Sequence, residues 1–322
     1  MLRTAKLFPI KSNQTEAGLL SLNSALIIGA MTLSAAVIIV NWNGREYLRV
    51  CLDSLQKQTH PNFRVIVVDN GSTDGSLEML AAEYPQVQVK ALEENTGFVF
   101  ASNEGAKLAP DVDVLVMLNN DTEVEPDWLL NLTLALESHP EAGAAASKML
   151  LFDRRHVLHS AGDIMAPGFF PQNRGVWEED VGQYDDDVWV FGPCGGAAAY
   201  RQEVWQALGG FDSRLFMYLE DVDFAWRMQK QGWKTIFAPQ ARVYHHLSAT
   251  GGGKFASYYV GRNLILLHRW HLTRDDWRSQ GKEILRGHAK IIIDALRAWR
   301  SQPAQARLRG VMHGLLGVTG KR

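Results

Sequence analysis

The chain has 322 residues, 46% apolar and 21% charged, with a formal net charge of -2. That is enough apolar material for one large domain or two small ones, and no general basic field that would call for nucleic acid. The two cysteines, Cys51 and Cys194, are far apart, which excludes a disulfide framework and zinc-type spacing and fits a reducing, cytoplasmic compartment.

Residues 1–34 carry a few basic residues followed by an apolar stretch. The apolar run is shorter than the roughly 20 residues a spanning helix needs. Cleavage as a signal peptide would cut into the first strand, so the segment reads as an extension, poorly ordered or helical. Ala35 to Val40 is a continuous β-branched run, the pattern of a strand buried on both faces. Asn41-Trp42-Asn43-Gly44 ends it. A helix over Tyr47 to Gln58 carries Leu48, Cys51, Leu52 and Leu55 on one stripe. A second strand, Phe63 to Val68, runs into Asp69-Asn70-Gly71-Ser72-Thr73-Asp74-Gly75-Ser76. This is a βαβ unit, and in open α/β sheets ligands bind beyond the strands' carboxyl ends. Asp69 there suits a hydrogen bond from a base or ribose. The competing reading is a turn that caps the next helix through Asp74 or Ser76.

After a short strand, Val87 to Ala91, comes Glu94-Asn95-Thr96-Gly97, where Gly97 permits close backbone approach and the following helix start could face phosphate. Val114 to Leu118 is the most apolar strand of the first half and ends in Asn119-Asn120-Asp121. A carboxylate at such a tip suits a hard divalent cation, although the same residues make an ordinary turn. Three successive strands therefore end in Asp or Asn clusters, which favours a binding edge.

A helix opens at Pro126, and a strand follows near Ala142 to Met149. Asp153 to Asp187 lacks periodicity and reads as a lid or binding loop, with Asp185-Asp186-Asp187 a solvated turn. Phe191 to Tyr200 is rich in Gly and Ala. Gly195 and Gly196, with Trp189, are expected on the acceptor side, against the plainer reading of dense packing on the helix Arg201 to Leu208.

Phe216-Met217-Tyr218-Leu219-Glu220-Asp221-Val222-Asp223-Phe224-Ala225-Trp226-Arg227 delivers three carboxylates to a helix start through aromatic surface. Acidic residues there satisfy the macrodipole. The aromatic wall of Phe216, Tyr218 and Phe224 instead suggests a general base, with Asp223 and Arg227 as an i,i+4 pair. A strand over Thr235 to Ala238 precedes Val243-Tyr244-His245-His246, whose histidines could ligate a metal. Gly251 to Gly253 suggests a loop that closes over a ligand, and Arg262 offers a guanidinium for phosphate. The tail, 271–322, is a basic amphipathic helical segment, able to rest on an anionic membrane surface or to pack back on the domain.

With these motifs in order, the sequence resembles the family 2 inverting glycosyltransferases of GT-A fold, in their rhamnosyltransferase-like branch, over roughly Ala35 to Trp270. The carrying motifs are Val-Asn-Trp-Asn-Gly, Val-Asp-Asn-Gly-Ser-Thr-Asp, Asn-Thr-Gly-Phe, Asn-Asn-Asp, Gly-Gly-Phe-Asp, Glu-Asp-Val-Asp and Tyr-His followed by Ser-Ala-Thr-Gly. The resemblance implies an α/β fold with a mostly parallel central sheet flanked by helices, divided as an extension (1–34), a GT-A domain (35–270) and a helical C-terminal tail (271–322).

It implies Asp69 at the nucleobase, with Asn41 and Asn43 lining the nucleotide pocket and Asn95, Gly97, Asn120 and Arg262 on the donor side. Asp121 and His245 would hold Mg2+ or Mn2+. Asp221 would be the catalytic base, with Glu220 beside it. The implied partners are a nucleotide-sugar donor, first dTDP-L-rhamnose, and a glycan or lipid-linked acceptor, with peripheral contact at the cytoplasmic membrane face through the basic tail and no nucleic acid. Two departures stand out: Asn119 replaces the first carboxylate of the metal motif, and Val99-Phe100-Ala101-Ser102 replaces a smaller, more polar loop. A nucleotidyltransferase and an inactive nucleotide- or glycan-binding protein are the alternatives. The first would need a glycine-rich basic loop where Asn41 to Arg45 stands.

Overall fold

The computed structural model describes residues 32–246 and 253–322, and Leu33–Arg322 form one compact unit. Nearly all of the expected N-terminal extension, the Ser248-Ala249-Thr250-Gly251 motif, and Gly251 and Gly252 of the expected closing loop lie outside the described residues. The first half alternates as the sequence pattern requires: β1 (Ala35–Asn41), α1 (Arg45–Leu55), β2 (Phe63–Asn70), α2 (Ser76–Glu83), β3 (Gln88–Leu92), α3 (Phe98–Ala106) and β4 (Val114–Asn119). β1 shows why its run is apolar throughout. Val37 and Ile39 pack with Leu48, Leu52 and Trp128 on one side, and Ala36 and Ile38 with Ile66, Leu115 and Tyr200 on the other.

The chain continues through β5 (Thr122–Val124), α4 (Trp128–Ser138), β6 (Ala142–Leu151), β7 (Arg154–Ser160), β8 (Asp163–Ala166), β9 (Phe170–Asn173), β10 (Trp189–Val190), β11 (Ala197–Arg201) and α5 (Gln202–Leu208). It ends with α6 (Glu220–Lys230), β12 (Lys234–His245), α7 (Gly253–His271), α8 (Arg274–Arg297) and α9 (Gln302–Leu315). The main sheet runs β10-β12-β6-β11-β4-β1-β2-β3. β1, β2, β3 and β4 are mutually parallel, and β12 is parallel to β6. β11 lies antiparallel between β4 and β6. One edge therefore gathers the carboxyl ends of β1, β2, β4 and β12 with the amino end of β11. Chain order reverses between β1 and β4, which makes that gap the expected crevice.

Three expectations are corrected. Asp153 to Asp187 is no lid: β7 pairs with β6, and β8 with β9 as a hairpin. The aspartates near its end are not simply solvated, since Lys148, fully buried, is held by Asp180 at 2.9 Å and Asp185 at 2.6 Å; a buried ammonium needs such partners. β12 does not stop at Ala238. It absorbs Pro239 in a register shift between Ala238 and Arg242, where the missing amide costs no ladder bond, and runs on to His245.

The tail packs back on the domain through α9. Gly310 and Gly314 leave so little space that a Cβ would lie 2.1 Å from the Tyr258 carbonyl and 2.6 Å from that of Arg262. α8 begins with a capping box between Thr273 and Asp276 and buries only Ile284 and Ala295. Among the described residues no helix is long and apolar enough to cross a membrane.

Candidate active site

At the end of β1, Asn41 donates to Asp69 Oδ2 at 3.0 Å and to Ser72 Oγ at 3.2 Å, and accepts from Asn120 Nδ2 at 2.8 Å. Asp69 is fully buried, and its Oδ1 accepts the Ser72 amide at 2.9 Å. Asn43, in the left-handed region at φ 50°, accepts the Thr73 amide at 2.8 Å. These bonds cross the β1–β4 crevice and join the tips of three strands. Asp69 forms part of the crevice floor, and the loop also turns as an ordinary turn does: Asp74 accepts from the Ser76 amide at 3.1 Å and from the Arg45 amide at 2.8 Å. Beside this network a cavity of about 310 Å³ is lined by Asn43, Gly44, Arg45, Glu46, Tyr47 and Asp74.

The glycine loop is tied to the same edge. Asn70 Oδ1 accepts the Thr96 amide at 2.8 Å, and Asn95 Oδ1 accepts the Gly97 amide at 2.9 Å. Gly97 sits at φ 90°, and a Cβ there would lie 2.5 Å from the Phe216 carbonyl oxygen. The close approach expected of this glycine is thus made by the protein's own Phe216.

Asp121 and His245 meet because β4 reverses into β5, which pairs antiparallel with the last residues of β12. His245 Nε2 lies 3.1 Å from Asp121 Oδ1 and 3.4 Å from Asn119 Nδ2. Both partners are buried. A carboxylate and an imidazole converging on one point suit a divalent cation that takes its remaining ligands from diphosphate and water. Among the described residues no group of three or more His, Cys, Asp and Glu is placed to hold an ion unaided. His246 turns away, its ring stacked on Phe152 at 3.6 Å.

The carboxylate pair stands at the start of α6. Asp221, half-buried, accepts the Gly195 amide on Oδ2 at 2.7 Å and the Val222 amide on Oδ1 at 2.8 Å. Gly196 takes the chain on: its carbonyl accepts the Asn119 amide at 2.9 Å. Two consecutive glycines thus connect Asp221 to the strand tip beside His245. A Cβ on Gly195 would lie 3.0 Å from Asp221 Oδ2, so the small residues make room for this carboxylate.

Burial, and then the charge of Asp221, raise the Glu220 pKa. Burial also raises that of Asp221, but the amides of Gly195 and Val222 pull it back. Asp221 thus has two amide donors for one carboxyl, whereas the buried Oε2 of Glu220 has no partner among the described residues. Burial, then the charges of Glu220 and Asp121, push the Tyr218 hydroxyl up to about 12. Tyr218 and Leu219 both hold positive φ, at 66° and 65°. Asn263 clamps that strained pair by donating to the carbonyls of Met217 at 2.9 Å and Tyr218 at 2.7 Å. Asp223, by contrast, is spent on Arg227 at 2.7 Å and His271 at 2.8 Å.

Three expected residues stand apart. Arg262 is fully buried, donates to the Gly320 carbonyl at 2.5 Å and lies over the Tyr259 ring at 4.8 Å; its guanidinium faces the C-terminal segment and the α7 aromatics. Trp189 pairs with Ile236 near the amino end of β12, at the opposite edge from His245. Phe224 walls nothing; it is core, packed on Tyr200 at 4.9 Å.

Sequence reading missed Asn263, His159 and Asp163. Asp163 is buried, its Oδ1 without a partner among the described residues, and burial followed by the charge of Asp221 raises its pKa. His159 lies on β7 against His245; burial and then that neighbour lower its pKa to about 3. The last two sit in the stretch read as a loop, where the short buried run Val157-Leu158-His159-Ser160 was the available signal.

Comparison with known proteins places the chain in a family and its fold. The family model described as Glycosyl transferase family 2 covers residues 36–209, more than half of the chain. The N-acetylglucosaminyl-diphospho-decaprenol L-rhamnosyltransferase of Mycobacterium tuberculosis is 27% identical over 295 residues, 81% of this chain and 94% of its own. O-antigen biosynthesis protein RfbC of Myxococcus xanthus is 31% identical over 224 residues, 66% of this chain but 17% of RfbC. The solved mannosyltransferase PcManGT of Pyrobaculum calidifontis, in complex with GDP-Man and Mn2+, superposes with a TM-score of 0.60 at 16% identity, covering 94% of this chain and 96% of its own. Together with the sheet order and the strand-tip site, these matches establish that the chain belongs to glycosyltransferase family 2 and adopts the GT-A fold.

Proposed function

We propose that this glycosyltransferase moves a sugar with inversion from a nucleoside-diphosphate donor, dTDP-L-rhamnose first, to a glycan or lipid-linked acceptor in bacterial cell-surface polysaccharide synthesis. The observation that carries the reading is the link Asp221–Gly195–Gly196–Asn119, which ties the Asp221 carboxylate to the strand tip beside the Asp121–His245 pair. The rhamnosyltransferase name of the Mycobacterium tuberculosis relative supports the donor and the lipid-linked acceptor.

Asp221 takes the proton of the acceptor hydroxyl as its oxygen bonds to the anomeric carbon. The bond from that carbon to the diphosphate oxygen breaks with its electrons leaving on the nucleotide. Glu220, carrying a proton, can donate to the incoming acceptor. Asp121 and His245 would hold Mg2+ or Mn2+, which when bound stabilises negative charge on the leaving diphosphate. Asn41, Asn43 and Asp69 form the nucleotide end of the crevice, and Asn95, Gly97 and Asn120 shape its donor side through the bonds described above.

The acceptor side consists of Gly195 and Gly196 together with Glu220. α8, α9 and the turns that follow them leave Leu285, Leu296, Trp299, Leu315 and Leu316 exposed, with Arg286, Lys290, Arg297 and Arg300 in the same stretch of sequence. Such a surface suits peripheral contact with an anionic leaflet at its cytoplasmic side, where a lipid-linked acceptor would be met. Thermal-shift screening of dTDP-rhamnose against UDP- and GDP-sugars with Mn2+ tests the donor. A larger shift with a UDP- or GDP-sugar would replace dTDP-rhamnose in this account.

A further inference from the structure

His159 enters the site from β7, which carries none of the expected site residues. Its Nδ1 lies 3.2 Å from Nδ1 of His245, and the two buried rings stack at 4.9 Å between centroids with 23° between planes. A nitrogen–nitrogen contact this short needs one hydrogen between the atoms. On its other side, His245 Nε2 faces a carboxylate oxygen of Asp121 at 3.1 Å. Two lone pairs at that separation repel unless a proton or a cation lies between them.

We propose that His159 is a positioning residue: its Nδ1 accepts the hydrogen of His245 Nδ1, and so turns the Nε2 lone pair of His245 toward a cation shared with Asp121. The proton count requires this direction. Neutral imidazole carries one N–H, and a nitrogen that ligates a metal must be bare. With Nε2 committed to the ion, the hydrogen of His245 stands on Nδ1, and among the described residues His159 Nδ1 is in place to receive it. His159 then carries its own hydrogen on Nε2. The opposite arrangement, His159 donating, would put a hydrogen on His245 Nε2 and close the site to metal. Partners of this kind fix ring orientation and raise ligand basicity. The inference rests on Asp121 and His245 being the metal pair.

The test is affinity for Mn2+ in the presence of saturating dTDP and without acceptor, read by electron paramagnetic resonance, for the full chain and for His159→Phe and His159→Gln. The phenylalanine keeps the stacked ring and removes the acceptor; the glutamine restores an oxygen acceptor. His159→Phe should lose about 10–100-fold in Mn2+ affinity, and His159→Gln should recover most of it. Affinity within twofold of wild type in His159→Phe, or equal loss in both variants, overturns the proposal. No Mn2+ binding by the wild-type protein overturns the metal reading along with it, so the two failures are distinguishable. A measurement on the unaltered protein covers a variant that does not fold: nitrogen-15 histidine spectra in saturating Mg2+ should show His245 protonated on Nδ1 and His159 on Nε2. The reverse pattern contradicts the proposal.

Discussion

The amide of Gly195 donates to Asp221 Oδ2 across 2.7 Å, and a Cβ on that glycine would stand 3.0 Å from the same oxygen. The contact both orients the carboxylate and draws its pKa down against the burial that raises it. Gly195→Ala must push Asp221 aside by a few tenths of an ångström. Its kcat should fall roughly 10–100-fold, while donor affinity measured by calorimetry stays near wild type.

Glu220 supplies a pH signature. Its pKa is raised in the fold relative to the unfolded chain, so the folded state holds the proton longer. The stabilisation from that proton is complete below the ordinary glutamate value of about 4.3 and is lost as pH rises through the folded value. Glu220→Gln removes the titration. Its melting temperature should therefore gain on wild type between about pH 5 and pH 8, by about 2–4 °C for each kcal/mol recovered. A constant difference across that range would show that Glu220 is not a proton carrier.

Asp121→Ala should abolish the metal-dependent part of donor binding. Titration calorimetry with nucleotide sugar should then give the same affinity with Mn2+ as with EDTA, whereas wild type should differ between the two. Asn119 is a weak substitute for the lost ligand, because its neutral carboxamide brings no charge to the cation and its Nδ2 faces His245 at 3.4 Å.

Asn263→Ala removes two bonds to the carbonyls of Met217 and Tyr218. The left-handed pair Tyr218–Leu219 then loses its clamp. A loss of about 1–3 kcal/mol in denaturant unfolding is expected, together with a larger fall in kcat than in donor affinity.

The βαβ order, both faces of β1 and the edge holding Asn41, Asp69, Asn120 and Asp121 were legible in the sequence, since continuous apolar runs ending in Asp and Asn mark buried parallel strands. His245 was also legible, although Pro239 hid the strand that carries it. Asp221 was legible as an acid at a helix start; its bond to Gly195 joins elements far apart in sequence. Arg262 and Trp189 show the opposite case. An arginine near a glycine loop suits phosphate by chemistry, but the packing of α9 on α7 closes around it. A tryptophan two residues from a small-residue run lies at the wrong end of an antiparallel strand.

The exposed apolar residues of the last two helices make a separate prediction. Leu296→Glu combined with Trp299→Glu should weaken sedimentation with vesicles of anionic phospholipid by an order of magnitude or more, given about 1.5–3 kcal/mol for each large apolar side chain withdrawn from water. Catalysis on a water-soluble acceptor should be unchanged.

The most direct measurement concerns residue 221. Asp221→Asn keeps the size of the side chain and removes its capacity to accept a proton. In the presence of Mn2+, acceptor and the donor that shifts melting most, release of nucleoside diphosphate should fall by about 10²–10⁴-fold, with donor binding retained. Turnover at the wild-type rate in a folded variant would contradict the assignment of the base and the reaction built on it.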